Sequence, residues 1–386
     1  MKASTERPPI TLPELLRSAV GDRSRFPASL LERTEHRYAF EFPSGRAALS
    51  YALRNEGIGG TDEVLVPAFT DSAVDRVVDS VATSVNVDIS PETFNLDLGE
   101  AEELITDRTA AIVPTHMYGQ PMDMEAISAF ADEHNLTVIE DAAHALGSIY
   151  LGEKVGTESD YAMFSFRFSK DATVFTGGLL LARDRPTTIA YRPPDRLSLA
   201  KLGGVIVLLS LLDRLPGDMY YALREYLLDP YFRWSAGVIG ELDPRRLSAA
   251  ERATLDYQYR TIPERIATRR EHAARYDEGL PASLSSPTPT DDHAYWRYTL
   301  LVPPTTRDRI CRSLQRRGIG CSTTYAYVVS PPGLCPRAED AAKSVLNLPV
   351  HSGLTGERID DIVETVTTVW DGIPESVRDE TPSHQT

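Results

Sequence analysis

Residues 136–183 read LTVIEDAAHALGSIYLGEKVGTESDYAMFSFRFSKDATVFTGGLLLAR, and they limit the folds open to this chain more than any other stretch. Residues 136–140 form a short apolar, β-branched run that stops at an acid, Asp141. Residues 161–169 are a second strand-like run. Ala162, Phe164, Phe166 and Phe168 fall on one face of it, and Tyr161, Ser165, Arg167 and Ser169 on the other, which is the period of two expected of a strand. Lys170 follows at once, then Gly177-Gly178 and a third apolar run, 179–182. An acid thus ends one strand, a hydroxyl sits within the next, and an amine lies just beyond it. A pyridoxal 5'-phosphate site needs a carboxylate for the ring nitrogen, a hydroxyl for the phosphate and an amine to bond the aldehyde.

The surrounding chain supplies a frame for these groups. A strand at 38–42 gives way to Ser44, which can cap a helix over 46–56 that Gly57 stops. The start of that helix, with Ser44, Gly45 and Arg46, is a natural anion site, although an ordinary capped helix explains the same residues. Further strands are expected at 81–89 and 109–115, and an amphipathic helix at 124–134. Strands alternating with helices argue for a mainly parallel sheet covered on both faces. Ligands of such sheets bind at the carboxyl ends of strands, where Asp141 and Lys170 fall. Asp141 could equally cap a helix. His116 and Tyr118 either line the site or shape a tight turn, and His144 either contacts the ligand or packs. A random lysine is usually a solvated charge; the Ser-x4-Lys spacing after a strand and before Gly-Gly favours a reactive Lys170.

These residues resemble a known family. EDAAHALGS at 140–148, then VG-x3-D-x3-FSF-x3-K, then Gly-Gly, is similar to the signature of the DegT/DnrJ/EryC1/StrS sugar aminotransferases. SG-x-A-A-L at 44–49, DEV-x-VP at 62–67, H-x-YG-x-P at 116–121 and L-x-LP-x-H at 346–351 extend the ladder. The resemblance implies an α/β fold, the fold-type-I transferase, with a mainly parallel large-domain sheet and a smaller C-terminal α+β domain. It implies pyridoxal 5'-phosphate as cofactor, with Lys170 catalytic. Ser44, Gly45, Arg46, Asp141, His144, Ser165 and Lys170 would bind the cofactor, and His116, Tyr118 and Tyr325 the substrate. The expected reaction moves an amino group from an amino acid, glutamate foremost, to a keto group of a nucleotide-linked deoxysugar. A dehydratase of the same sugars, or a regulator without activity, is the alternative. The expected assembly is a homodimer.

Four departures from the family pattern stand out. Arg46 replaces a usual Thr, and Asp71 replaces an aromatic residue that stacks on the cofactor ring; Phe69 is two positions away. Asp243-Pro-Arg245 stands where relatives place an Asn-x-Arg that reaches the neighbouring subunit's cofactor phosphate, so Arg245 or Arg246 would have to take over. Thr324 replaces a substrate-binding His.

The chain divides into a large domain at 1–190, an apolar and aromatic insertion at 191–242, a small domain at 243–373 and a disordered tail at 374–386. Within the insertion the unbroken apolar run, 202–212, is too short for a bilayer, which needs roughly 20 residues. Residues 199–234 would instead dock on a partner protein or on a membrane surface, the former preferred. Later elements are a long helix at 247–280 interrupted at Pro263, strands at 295–302 and 321–325, and helices at 307–317 and 357–370. A net charge of −16 argues against nucleic acid as a partner. Cys311, Cys321 and Cys335 lack metal-ligand spacing, so no metal is expected and the thiols read as reduced. The first residues, MKASTERPPITLPELL, have no signal-type apolar core, so a cytoplasmic location is expected.

Overall fold

The computed structural model describes residues 3–4, 8–20, 24–32, 34–150, 153–157, 159–184, 189–216, 219–221, 223, 226–227, 241–284, 286–287 and 293–378. One sheet holds β1 (Tyr38–Phe42), β2 (Glu63–Pro67), β3 (Thr83–Val87), β4 (Thr109–Ile112), β5 (Thr137–Asp141), β6 (Tyr161–Ser165) and β7 (Gly178–Ala182). Their order is β1-β7-β6-β5-β4-β2-β3. Strands β2 to β6 run parallel, and β7 is antiparallel to both β1 and β6. The longer helices are α1 (Leu12–Ala19), α2 (Gly45–Asn55), α3 (Ser72–Asp79), α4 (Met124–His134), α5 (Ser198–Leu212), α6 (Ala249–Gly279), α7 (Arg307–Arg316), α8 (Pro336–Ser344) and α9 (Gly356–Asp371).

Alternation along each strand decides which helix it meets. Val64 and Val66 of β2 pack with Ala48, Leu49 and Leu53 of α2 and Val74 and Val77 of α3. Leu65, between the two valines, faces the other way, with Ile127 and Phe130 of α4. Ala162, Phe164, Leu179 and Leu181 share that second side with Leu255, Tyr259 and Ile262 of α6. Both faces are covered, which is why the central strands read as unbroken apolar runs. The register brings Ser165, Gly178 and Phe42 level across β6, β7 and β1. At Gly178 an added Cβ would lie 2.3 Å from the carbonyl carbon of Ser44. Only glycine lets the turn after β1 pass so close.

Helix α6 opens with a capping box, Ser248 with Glu251, and runs through Pro263 without the expected interruption. Pro263 lies on the exposed side, where water can serve the carbonyl it leaves unpaired, while Ile262 and Ile266 on the other side stay packed. The far half of α6 joins a second core. There Tyr276 meets Trp370 of α9, Leu314 of α7, and the antiparallel pair β8 (Tyr298–Leu301) and β9 (Val345–Leu348). The expected strand at 321–325 does not form: Tyr325 has φ +66°, outside the β region. Instead Ile319–Gly320 pairs with Ala3–Ser4.

In the insertion, α5 presents Ser198, Leu202, Ile206, Leu209 and Leu212 inward. It shares a cluster with Ile10, Leu15, Phe168 and Phe175, and the last two flank Lys170. No described helix is long and apolar enough to cross a membrane. The aromatic part of the insertion lies largely outside the described residues. In the tail Glu375–Arg378 is helical, and 379–386 lies outside them too.

The turn carrying Lys170 is tied down from several sides. Gln258 of α6 accepts from Thr173 N at 3.0 Å and donates to Thr173 O at 2.8 Å. Arg265 donates to Asp171 O at 3.0 Å, and Trp296 Nε1 to Ser169 O at 2.9 Å. Arg269 pairs with Asp171 at 2.6 Å, with both side chains buried. Arg269→Met strands that carboxylate away from water and is expected to cost about 3 kcal/mol or more, read as a lower first transition in urea unfolding.

Candidate active site

The site is built at the carboxyl edge of the sheet. Asp141 ends β5, Ser165 ends β6, and Lys170 lies in the turn between β6 and β7. The turn after β1 becomes α2, whose N-cap Ser44 accepts from Ala47 N. With Gly45, Arg46, Thr70, Asp71, His144 and Arg167, these residues line one cleft. The cleft thus gathers Ser44, Gly45, Arg46, Asp141, His144, Ser165 and Lys170 from three separate stretches of chain.

Burial sets the electrostatics. Asp141 is almost fully buried, and desolvation pushes its carboxyl up to about 6 against the Ala143 N–H it accepts from and the charge of Lys170. Lys170 is half-buried; desolvation brings its amine down to about 8, against the pull of Asp71 and Asp141. Its Nζ lies 4.7 Å from the Trp296 ring centroid, a cation–π contact. An acid and an amine displaced toward each other in one cleft mark a site for proton chemistry.

His144 lies flat on Trp296, with ring centroids 4.0 Å apart and planes within 5°. Burial and the nearby Lys170 charge hold its pKa well down, so the ring is neutral near pH 7. Its Nε2 is 3.0 Å from the Tyr325 hydroxyl, while its buried Nδ1 has no partner among the described residues. Asp71, in place of the expected aromatic, caps α3 by accepting from Ala73 N at 2.9 Å. Phe69 does not line the cleft; it packs edge-on against Tyr118 and Tyr325. The aromatic surface of the cleft is His144 backed by Trp296.

The three substrate candidates have separate places. His116 is fully buried and outside the cleft lining. Its Nε2 donates to Glu140 at 2.7 Å and its Nδ1 accepts from Met122 N at 2.9 Å, so both ring nitrogens are engaged. Burial alone would raise the Glu140 carboxyl; His116, Ser159 and Gly156 more than offset it and hold it below its usual value. His116→Ala is therefore expected to lower stability by about 2–4 kcal/mol and to leave the donor KM within about twofold, checked by thermal melts and steady-state kinetics. Tyr118 has φ +54° and donates to Thr324 O at 2.6 Å. Tyr325 reaches the cleft only through His144. Of the phosphate-contact stand-ins, Arg245 is buried with its guanidinium on Thr176 O at 3.0 Å, Arg246 lies 4.4 Å over the Tyr191 ring, and Asp243 pairs with Arg192.

Three cleft features were not among the sequence candidates. Arg167 follows the FSF motif but reads as the solvent face of a strand. Asp71 registers only as a departure from pattern. Trp296 arrives from the small domain, and no local signal marks it.

Comparison with known proteins decides the family. The profile of the DegT/DnrJ/EryC1/StrS aminotransferase family matches residues 17–192 and 243–367. The chain belongs to this family. The unmatched span, 193–242, falls within the apolar insertion. The chain is 33% identical to GDP-perosamine synthase of Caulobacter vibrioides over 343 residues, covering 85% of this chain and 84% of that one. It is 31% identical to dTDP-3-amino-3,4,6-trideoxy-alpha-D-glucose transaminase of Streptomyces venezuelae, covering 88% and 85%. The solved structure of S. venezuelae DesV superposes with a TM-score of 0.73 at 28% identity, covering 94% of each chain. The protein is a sugar aminotransferase of the fold-type-I class.

The family's cofactor is pyridoxal 5'-phosphate, and the residues present fit it. The cleft offers two carboxylates, an amine, three hydroxyls and two arginines, and the buried His144 Nδ1 has no hydrogen-bond partner among the described residues. The Gly45 position is tight as well: a Cβ there would meet Met163 Sδ at 3.0 Å and Ser165 Cβ at 3.3 Å, so the helix start can lie close against β6.

Proposed function

We propose that the protein transfers the amino group of an amino acid, glutamate foremost, to a keto group of a nucleotide-linked deoxysugar, for glycan or secondary-metabolite synthesis. The observation that carries this reading is the pairing of Lys170 and Asp141 in one cleft, displaced toward neutral pH from opposite sides. The names of the GDP- and dTDP-linked relatives support the substrate class.

Bound pyridoxal 5'-phosphate supplies an electron sink for the bond broken at the amino carbon. Asp141 keeps the ring nitrogen protonated. Ser44, Gly45, Arg46 and Ser165 bind the phosphate through the start of α2 and the end of β6. Lys170 Nζ, easily made neutral, would take up and return the proton of the amino carbon. His144, held by Trp296 and Tyr325, covers the ring. Tyr118 and Tyr325 stiffen the wall on the small-domain side.

The working protein is a cytoplasmic homodimer, and the insertion docks on a partner. Support for the docking is the outward side of α5, where Val207 and Leu211 are 41% and 54% exposed, in a span the family profile leaves unmatched. The test is a panel of GDP- and dTDP-linked keto-sugars incubated with glutamate or glutamine. Amino-sugar should appear with one nucleotide class in step with loss of the donor. Holo-protein that consumes neither donor with any keto-sugar would overturn the reading.

A further inference from the structure

Cys311 lies on the buried side of α7, and Cys321 follows the short Ile319–Gly320 strand. Their Sγ atoms are 2.6 Å apart, and both residues are buried, at 9% and 5% exposure. The backbones are matched too: Cys321 Sγ is 3.3 Å from Cys311 O, and Cys311 Sγ is 3.7 Å from Cys321 O. A disulfide spans about 2.05 Å, so a shift of roughly half an ångström brings the sulfurs to bonding distance. Cys335 is a separate case, with its Sγ 3.7 Å from Asn86 O in another cluster.

From the sulfurs a short path leads to the active site. Ser322 exchanges backbone hydrogen bonds with Asn347, at 3.1 and 2.8 Å. Thr324 N donates to Asn347 Oδ1 at 3.0 Å, and Thr324 O accepts from Tyr118. The next residue, Tyr325, holds His144 in the cleft. We propose that Cys311 and Cys321 are an oxidative modification site, closed into an intramolecular disulfide by exchange with a low-molecular-weight disulfide, and that closure stiffens the 322–325 segment under the cleft.

The exchange balances as written. Cys311 is the attacking thiolate, since the Cys321 S–H donates to it and lowers its pKa, while burial raises that of Cys321. Attack on the small disulfide releases one small thiol and leaves a mixed disulfide on Cys311. Cys321 then loses its proton to solvent and displaces the second small thiol. Two protein thiols are oxidised, and one small disulfide is reduced to two thiols.

The experiment uses the full-length holoenzyme equilibrated with oxidised glutathione or with dithiothreitol. Oxidation should lower the intact mass by about 2 Da, cut the thiols titrated after denaturation from three to one, and give a peptide linking Cys311 to Cys321. Amide hydrogen exchange across 322–325 should slow by at least about fivefold. Cys311→Ser and Cys321→Ser should abolish both changes, and Cys335→Ser should keep them. Three thiols remaining, a stable glutathione adduct, or a link through Cys335 would overturn the site. A bond that forms without slowing exchange at 322–325 would overturn the coupling. Neither readout depends on the sugar substrate.

Discussion

Replacing Lys170 by Ala should leave a folded protein whose transamination is slower by at least about 10³-fold. Two contributions vanish together: the amine that bonds the cofactor aldehyde and the group that carries the proton. Lys170→Arg should be nearly as slow, because a guanidinium keeps the charge and cannot give up its proton near neutral pH. Stability should move the other way. The folded site holds the amine at about 8, below its ordinary value of 10.5, so the ammonium opposes folding at pH below about 8. That opposition fades as pH rises toward 10.5. The cofactor-free Lys170→Ala protein should therefore melt no lower than wild type at pH 7. A melt several degrees lower would mean that the amine chiefly holds Asp71 and Asp141 together.

Asp141→Asn should reduce kcat by about 10²–10³-fold, because an amide cannot hold a proton on the ring nitrogen. Its effect on the empty protein has a pH signature. The Asp141 carboxyl binds its proton more tightly folded, at about 6, than unfolded, at 3.8. The stability of the protonated form is complete below about 3.8 and is lost as pH climbs through about 6, a cost of about 3 kcal/mol at pH 7. The amide side chain carries no such cost, so the variant's empty form should be the more stable at pH 7 and equal to wild type near pH 3.5. Adding pyridoxal 5'-phosphate should reverse the order at pH 7, since the ring nitrogen gives wild-type Asp141 its countercharge. Thermal melts at both pH values, with and without cofactor, read all four states. Equal melting at pH 7 without cofactor would place Asp141 in contact with water.

What could be read in the residues was mostly what local pattern controls. The strand end at Asp141 follows from an apolar run stopped by an acid, and the helix start at Ser44 from a capping residue after a strand; the second strand, expected over 161–169, stops at Ser165. The parallel sheet was legible because the buried strands at 109–115 and 136–140 flank an amphipathic helix at 124–134. Long-range placement was not. Trp296 backs His144 only because α6 carries the chain from one core to the other. Cys321 to Tyr325 has the composition of a strand, but Tyr325 is drawn into a left-handed conformation by its contacts with His144 and the tyrosine cluster. Pro263 marks a break by local rule, yet packing on its opposite side holds the helix whole. His116 carries a motif resemblance, and what fixes its role is Glu140, a carboxylate on the adjacent strand.

Phe168 and Phe175 rest against α5, a helix in the span that the family profile leaves unmatched. A helix that the family profile does not describe thus forms the floor beside the reactive amine. Anyone deleting Ser198–Leu212 would uncover two phenyl rings beside Lys170 and would have to supply a substitute cover. The helix cannot be removed without redesigning the turn it shelters.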